Sequence, residues 1–322
     1  MASKNKKSIK FLPRGTQRTV EFRHKYFHFP HGTSRLTFLL LILIISCHTT
    51  PIISETIFEE MNSIPLDKNA FAYVFINVNE SRSIIDILPV EQLKNWQAKL
   101  ILESTDMAAA ALFRKESGRH FQAVGWGNYP SLRASIALFF NTTWNRQRSA
   151  AGSYWNSDLL KLSIVINPKQ VFAIAWHNKH ENPVPASDGV KMPEGFSRFM
   201  YGAALSCWME SPDILLNQIL ANEGIPLKLP AEQLFLSLYP RSGNQYEVLL
   251  RLKFENAVQT RAVAAILSLA NSTFSADQQS LLASIFFANP PLYYGQFIDI
   301  KTALLSEKEI TLLMQMFLLY WR

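Results

Sequence analysis

Two cysteines are the most reactive side chains of this chain, and their settings differ. Cys47 closes an apolar run, directly after Ser46. Cys207 sits inside Leu205-Ser206-Cys207-Trp208-Met209, far from any CxxC or metal-ligand spacing. A thiol in such surroundings is expected to be a small buried hydrophobe, because a nucleophile needs a polarising neighbour. His177-Asn178-Lys179-His180-Glu181 is the densest set of potential metal ligands. It follows a strand pattern, precedes Asn182-Pro183 and contains Lys179, which opposes a cation, so an exposed polar loop is expected there. Asp106, Glu116, Asp158 and Asp188 are scattered carboxylates, expected to be solvated, with no spacing that implies an acid/base pair. Gly125-Trp126-Gly127 opens like a dinucleotide loop but lacks the third glycine and runs into Pro130. Phosphate-loop, nucleophile-elbow, zinc-protease and EF-hand patterns are absent and SxxK is absent from the body, its spacing occurring only at Ser3–Lys6 in the basic leader, so no cofactor and no metal are expected. Trp126, Trp144, Tyr154, Trp155 and Trp176 have the surfaces to stack on a sugar or peptide, but core packing is the expected role.

Charge is unevenly spread. The first 46 residues carry nine Lys and Arg against Glu21, a local +8 in a chain of net +7, which leaves −1 for the remainder. A near-neutral body lacks the basic face that a phosphate backbone requires, so nucleic-acid binding is excluded as an expectation. The basic segment leads into Leu36–Ile45, LTFLLLILII, ten residues interrupted only by Thr37. A membrane-spanning helix needs about 20 apolar residues, whereas a secretory core needs about 7–15. The run has the length of a signal peptide.

The junction Ile44-Ile45-Ser46-Cys47 resembles the lipobox of bacterial lipoproteins: an aliphatic residue at −3, a small one at −1 and cysteine at +1. The resemblance implies that Ile44, Ile45 and Ser46 are the recognition residues of the lipoprotein signal peptidase. It also implies that Cys47 receives diacylglycerol and becomes the N-terminus. Ile45 is bulkier than the usual −2 residue and is similar to the relaxed lipoboxes of spirochaetes. Two acyl chains hold a protein firmly where one holds it marginally, so the body is expected to need no apolar anchor of its own. His48 is not the Asp that marks inner-membrane retention in enterobacteria, which favours an outer-membrane or periplasmic-face address. Residues 1–46 are thus expected to be a signal peptide and 47–69 a lipidated cysteine with its tether.

Beyond the tether, elements follow from hydrophobic period. Ala70–Asn77 is β-branched and aromatic, a strand, and Leu93, Trp96 and Leu100 fall on one face of a helix over 91–102. Met107–Phe113 and His120–Trp126 form a hairpin; Gly127-Asn128-Tyr129-Pro130 then stops the strand and opens a helix to about Phe140. Leu159–Ile166 and Val171–Trp176 make a second hairpin, Tyr201–Met209 a further strand, and Ser211-Pro212 an expected N-cap and first helical position. Hairpin then helix recurs over Leu234–Ala270, with Asn256 and Arg261 spaced like Asn128 and Arg133. Ser306 and Glu309 have capping-box spacing before a C-terminal helix with the apolar stripe Leu312, Leu313, Met316, Leu319, Tyr320. The expected fold is α+β with largely antiparallel sheets and short helices, duplicated as repeats over 70–224 and 225–322. The Gly-Asn-Tyr-Pro turn and this element order resemble spirochaete (Treponema-type) lipoproteins.

The expected function is a lipid-anchored extracytoplasmic protein, held to the membrane through diacylglycerol on Cys47, acting as a non-catalytic binding or envelope-structural module. One alternative is a carrier of an apolar ligand or lipid between the repeats, recognisable by a cavity at their junction and disfavoured by a filled one. Another is an envelope hydrolase, which needs a His within reach of a Ser, Cys or carboxylate. A protein or lipid partner is left open.

Overall fold

The computed structural model describes residues 64–87, 103–114, 119–176, 181–222, 228–274 and 289–320. Cys47, residues 47–63 of the expected tether and the helix expected over 91–102 lie outside them, whereas residues 64–69 are part of the folded body, with Ile64 bridged to Val190 and Leu66 buried. All of the described residues belong to one compact unit. Among the described residues, thirteen strands form a single sheet in which every pairing is antiparallel, flanked by six helices. The α+β expectation holds.

The chain runs β1 (Ala72–Asn77), α1 (Val78–Ile87), β2 (Thr105–Leu112), β3 (Arg119–Gly127), α2 (Ser131–Phe139), β4 (Asn145–Ser149), β5 (Gly152–Ser157), β6 (Leu162–Ile166) and β7 (Gln170–Trp176). It continues through α3 (Phe196–Met200), β8 (Leu205–Glu210), α4 (Asp213–Asn222), β9 (Gln233–Arg241), β10 (Gln245–Lys253) and α5 (Ala257–Phe274). Three short strands, β11 (Leu292–Tyr294), β12 (Phe297–Lys301) and β13 (Leu305–Ser306), precede α6 (Glu307–Tyr320). Across the sheet the order is β11-β12-β10-β9-β8-β1-β2-β3-β7-β6-β5-β4, with β13 beside β10. The sequence strand–helix–hairpin–helix therefore starts at β1 and starts again at β8, twenty residues ahead of position 225. The two starting strands, β1 and β8, pair with each other at the centre.

Both faces of the sheet are covered, so both side-chain parities of the central strands are apolar. On one face Ala72, Ala108, Ala110, Ala123, Leu252 and Ile300 pack with Leu138 of α2, Leu215 and Leu216 of α4, and Val263 and Leu267 of α5. On the other, Tyr73, Phe75, Ala109, Trp208 and Phe235 are covered by Ile64, Leu66, and Phe196 and Phe199 of α3. The alanines of β2 let helices approach closely; the aromatics fill the opposite face, where no long helix lies among the described residues.

Local chemistry fixes several connections. The capping box forms: the Ser306 backbone N–H donates to Glu309 Oε2 at 2.7 Å, and these bonds hold the Glu309 carboxyl below its ordinary range. In the β9–β10 turn, Gly243 and Asn244 take the left-handed conformation that a tight hairpin demands. Two expectations shift by a few residues. Tyr201-Gly202 is a turn, with Gly202 left-handed, so the strand starts at Leu205. Ser211 does not cap α4: its φ is +49°, its N–H donates to the Glu232 carbonyl, and the Pro212 carbonyl accepts from Leu216 instead.

The Gly-Asn-Tyr-Pro turn is a stitch between β2 and the β6–β7 turn. Asn128 N–H donates to the Ser104 carbonyl (2.7 Å), Tyr129 N–H to the Pro168 carbonyl (2.9 Å), and the buried Tyr129 hydroxyl bonds to that of Thr105. A side chain at Gly127 would overlap the Ser104 carbonyl oxygen. Gly127→Ala is expected to lower stability by about 1–3 kcal/mol through this backbone overlap, measurable as a reduced denaturation midpoint at unchanged slope; a midpoint equal to wild type would contradict the packing described.

Candidate functional site

The residues singled out for chemistry do not converge. Cys207 is buried between Val74 of β1 and Leu236 of β9, and burial pushes its thiol up to about 12, which makes it unreactive at neutral pH. Asp106 lies partly buried on β2, its carboxyl raised by desolvation against an opposing pull from Lys169. Asp158 accepts from the Asn156 side chain, and Asp188 from Ser187 and Lys68. Each carboxylate is thus engaged at a different place. Among the described residues no group of three His, Cys, Asp or Glu side chains is arranged to hold a metal ion. His177–His180 and Glu116 lie outside the described residues; the Glu181 carbonyl accepts from the Ser163 hydroxyl.

The aromatic residues are core. Trp126, Tyr154, Trp155 and Trp176 are buried, and Trp144 packs against the same cluster as Trp155. At the junction of β1 and β8, Tyr73 stacks on Trp208 at 4.7 Å, with Phe75 and Phe235 each 5.4 Å from Phe196. This face of the junction is filled, which counts against a carrier cavity there. Near one edge, Arg251 is held by Asp299 directly across the β10–β12 ladder (2.7 and 2.8 Å), with its guanidinium 5.1 Å from the Phe199 ring. That arginine is spent on structure.

What does stand out is apolar surface on two helices. In α2, Ala134 and Leu138 face the sheet, while Leu132, Ile136 and Phe139, with Phe140 just beyond, occupy the opposite face. Leu132, Phe139 and Phe140 are 76%, 71% and 78% exposed. In α5, Thr260, Val263, Ala264 and Leu267 face inward, and Val258, Ile266 and Leu269 outward, with Val258 78% exposed. Both helices pack on the same face of the sheet, α2 against the β6 side and α5 beside β11 and β12. Neither resembles an ordinary surface helix, whose outer face is polar. Isolated exposed apolar residues are common, but a helix with apolar residues on both faces needs a second apolar contact. The acyl chains were expected to spare the body an apolar anchor, yet these two helices present apolar surface.

Sequence reading placed α2 correctly and recorded its apolar period, yet it did not identify Phe139 and Phe140 as surface. The available signal was the run Ile136-Ala137-Leu138-Phe139-Phe140, which leaves no polar face for solvent. No helix among the described residues is long and apolar enough to cross a membrane. Because they are largely exposed, Leu132, Phe139 and Phe140 are expected to tolerate Gln with less than about 0.5 kcal/mol change per site. Urea denaturation of the three single variants checks this, and a loss on the scale of a buried leucine or phenylalanine would place these residues in the core.

Comparison with known proteins gives the fold a family. A family model described as outer membrane-associated lipoprotein TP0453 matches residues 62–284. Crystal structures of TP0453 from Treponema pallidum share the fold at a TM-score of 0.55. Crystal form III is 17% identical, covering 79% of this chain and 98% of its own; form I is 18% identical, covering 78% and 94%. Form IV is 16% identical and covers 80% and 98%. No curated protein sequence matches the chain. With the match extending over more than two thirds of its length, the chain belongs to the TP0453 family of outer membrane-associated spirochaete lipoproteins, proteins of the cell envelope.

Proposed function

We propose that this protein is a lipid-anchored, non-catalytic envelope module that lies against a bilayer through the outward apolar face of α2. Export removes residues 1–46, Cys47 carries the diacylglycerol, and the residues from 48 to 63 tether a body built from two related halves. The exposed apolar face of α2 is the observation that carries the reading: Leu132, Ile136, Phe139 and Phe140 are presented together on a helix whose other face is fully engaged. A helix of this kind is stable in the plane of the headgroup–acyl boundary, where its outer side chains leave water without leaving the helix. Burying a Leu or Phe side chain yields roughly 1.5–3 kcal/mol, so four such residues add substantially to what the acyl chains provide. Membrane association of the family supports the same assignment.

Two experiments test it. In a lipoprotein-processing host, wild type is expected to lose residues 1–46, gain lipid mass and enter the detergent phase, and Cys47→Ala to do none of these; equal behaviour of the two would refute the anchor. For the body, the full chain carrying Cys47→Ala is floated with phosphatidylcholine vesicles, alone and with Leu132→Gln, Phe139→Gln and Phe140→Gln combined. The triple substitution is expected to weaken vesicle binding by at least tenfold with the fold retained by circular dichroism. Unchanged binding would sink the membrane-facing reading of α2.

A further inference from the structure

The turn after α2 delivers the chain directly into a basic edge strand. Thr143 N–H and its hydroxyl both bond to Asn141 Oδ1, and Trp144 N–H donates to the Asn141 carbonyl at 3.0 Å, so only a pinned turn separates Phe140 from β4. In β4, Asn145, Arg146, Gln147 and Arg148 are all exposed, and among the described residues β5 is their sole strand partner. Side chains alternate along a strand, which places Trp144, Arg146 and Arg148 on one face. Arg146 lies opposite Trp155, and Trp155 and Trp144 share a core cluster with Leu138 of α2. The two arginines therefore stand on the sheet face that α2 covers, next to its apolar end, and exposed Arg133 adds a third guanidinium on α2 itself.

None of the three arginines forms an ion pair among the described residues. The nearest acid in the hairpin, Asp158, is bonded to Asn156, which pairs with Asn145 at the end of β4 away from Arg148. Charge is also asymmetric between the flanks. Residues 131–176 hold Arg133, Arg146, Arg148, Lys161 and Lys169 against Asp158, a net +4, although the chain from Cys47 onward sums to −1. The segment 245–322 that contains α5 sums to zero. Two helices present apolar faces, and one of them is ringed by unpaired cations.

We propose that Arg133, Arg146 and Arg148 bind the phosphates of anionic phospholipids where the apolar face of α2 meets the bilayer, so that the α2 flank selects an anionic membrane surface. This rests on the membrane-facing reading of α2 and names its lipid class. Guanidinium groups suit the task because they remain charged and offer a planar fork of donors to phosphate oxygens. Arginines on an edge strand also discourage edge-to-edge pairing with a second chain. That role depends on charge but not on lipid composition, which separates the two in experiment.

The test uses the full chain with Cys47→Ala, so that the anchor does not mask the body; residues 1–46 are common to every variant and cancel in the comparison. Binding is measured at low salt to vesicles of phosphatidylcholine alone and of equal parts phosphatidylcholine and phosphatidylglycerol. Each basic residue near an anionic surface contributes about 1 kcal/mol, so Arg146→Gln with Arg148→Gln is expected to lose about 30-fold on the mixed vesicles and nothing on phosphatidylcholine. Arg146→Lys with Arg148→Lys retains most of the mixed-vesicle affinity, and the same charge removal at Arg261→Gln with Lys308→Gln leaves it unchanged. Added salt narrows the gap between wild type and the Gln pair. Equal affinity of the Gln pair and wild type on mixed vesicles overturns the inference and leaves an acidic protein as the occupant of β4; so does an equal loss on both compositions. If the α2 triple Gln variant binds as wild type does, the membrane-facing reading itself fails, and the two failures are distinct.

Discussion

The antiparallel pairing of β1 with β8 is the constraint on which the rest of this structure rests. Those strands are separated by more than a hundred residues, and their register, Ala72 opposite Met209 through Ile76 opposite Leu205, sets the position of everything on either side. The pair is pinned from one face by the Tyr73–Trp208 stack and from the other by Cys207 and Met209 against Ala72 and Ile76. Register in a sheet with two buried faces is strongly specified, because a one-residue slip would carry Tyr73 and Phe75 into the alanine-lined face. The arrangement has a cost: the Trp208 indole N–H is buried without an acceptor, worth about 1–3 kcal/mol of desolvation. Aromatic burial on that face exceeds it.

From this centre each half grows outward in the same order, a helix after the central strand, then a hairpin, then a second helix on the same sheet face. The second helices, α2 and α5, consequently occupy equivalent places on opposite flanks, and these are the two helices with apolar outer faces. Cross-strand chemistry then finishes the flanks differently. At the β10–β12 edge, Arg251 is paired with Asp299, and Arg241 and Lys301 share the buried Glu247, so these three basic side chains are neutralised on the sheet face opposite α5. On the α2 side, Arg146 and Arg148 stand on an exposed strand with no carboxylate opposite.

Much of the fold was legible because much of it is local. Ser306 and Glu309 announce a capping box three residues apart, Asn167-Pro168 turns one hairpin, and Gly-Asn-Tyr-Pro ends a strand and starts a helix, all without tertiary information. The β4–β5 hairpin escaped because NRQRS and GSYWNS lack alternating hydrophobicity; their pairing is imposed by β6 and the turn at Asn141. The helix α1 escaped for a related reason, since VNESRSIIDI has few apolar residues and is anchored instead by Ser81, whose hydroxyl reaches the carbonyls of Asn77 and Ala204. Ser211 misled because its type suits an N-cap, whereas its backbone is held left-handed by the Glu232 contact. For the candidate site, the period placed α2, but a helix apolar on all sides does not disclose which side meets the core. Only the partners of Ala134 and Leu138 decide that.

Equivalent flanks need not do equivalent work. Neighbouring strands turn by about 20–25° relative to one another, and eight steps across the sheet separate β6 from β12. In a sheet of ordinary twist the surfaces above α2 and α5 face different directions, so a flat bilayer meets one flank at a time. Apolar area alone does not choose between them, since Leu132, Phe139 and Phe140 on one side are matched by Val258, Ile266 and Leu269 on the other. Charge does choose. An anionic surface is drawn to the flank where Arg133, Arg146 and Arg148 cluster, within a segment 131–176 of net +4, more than to the segment 245–322, which sums to zero. On the proposed lipid contact, this charge asymmetry would orient the body, with α2 toward the anionic lipid and the α5 flank left free for another apolar contact.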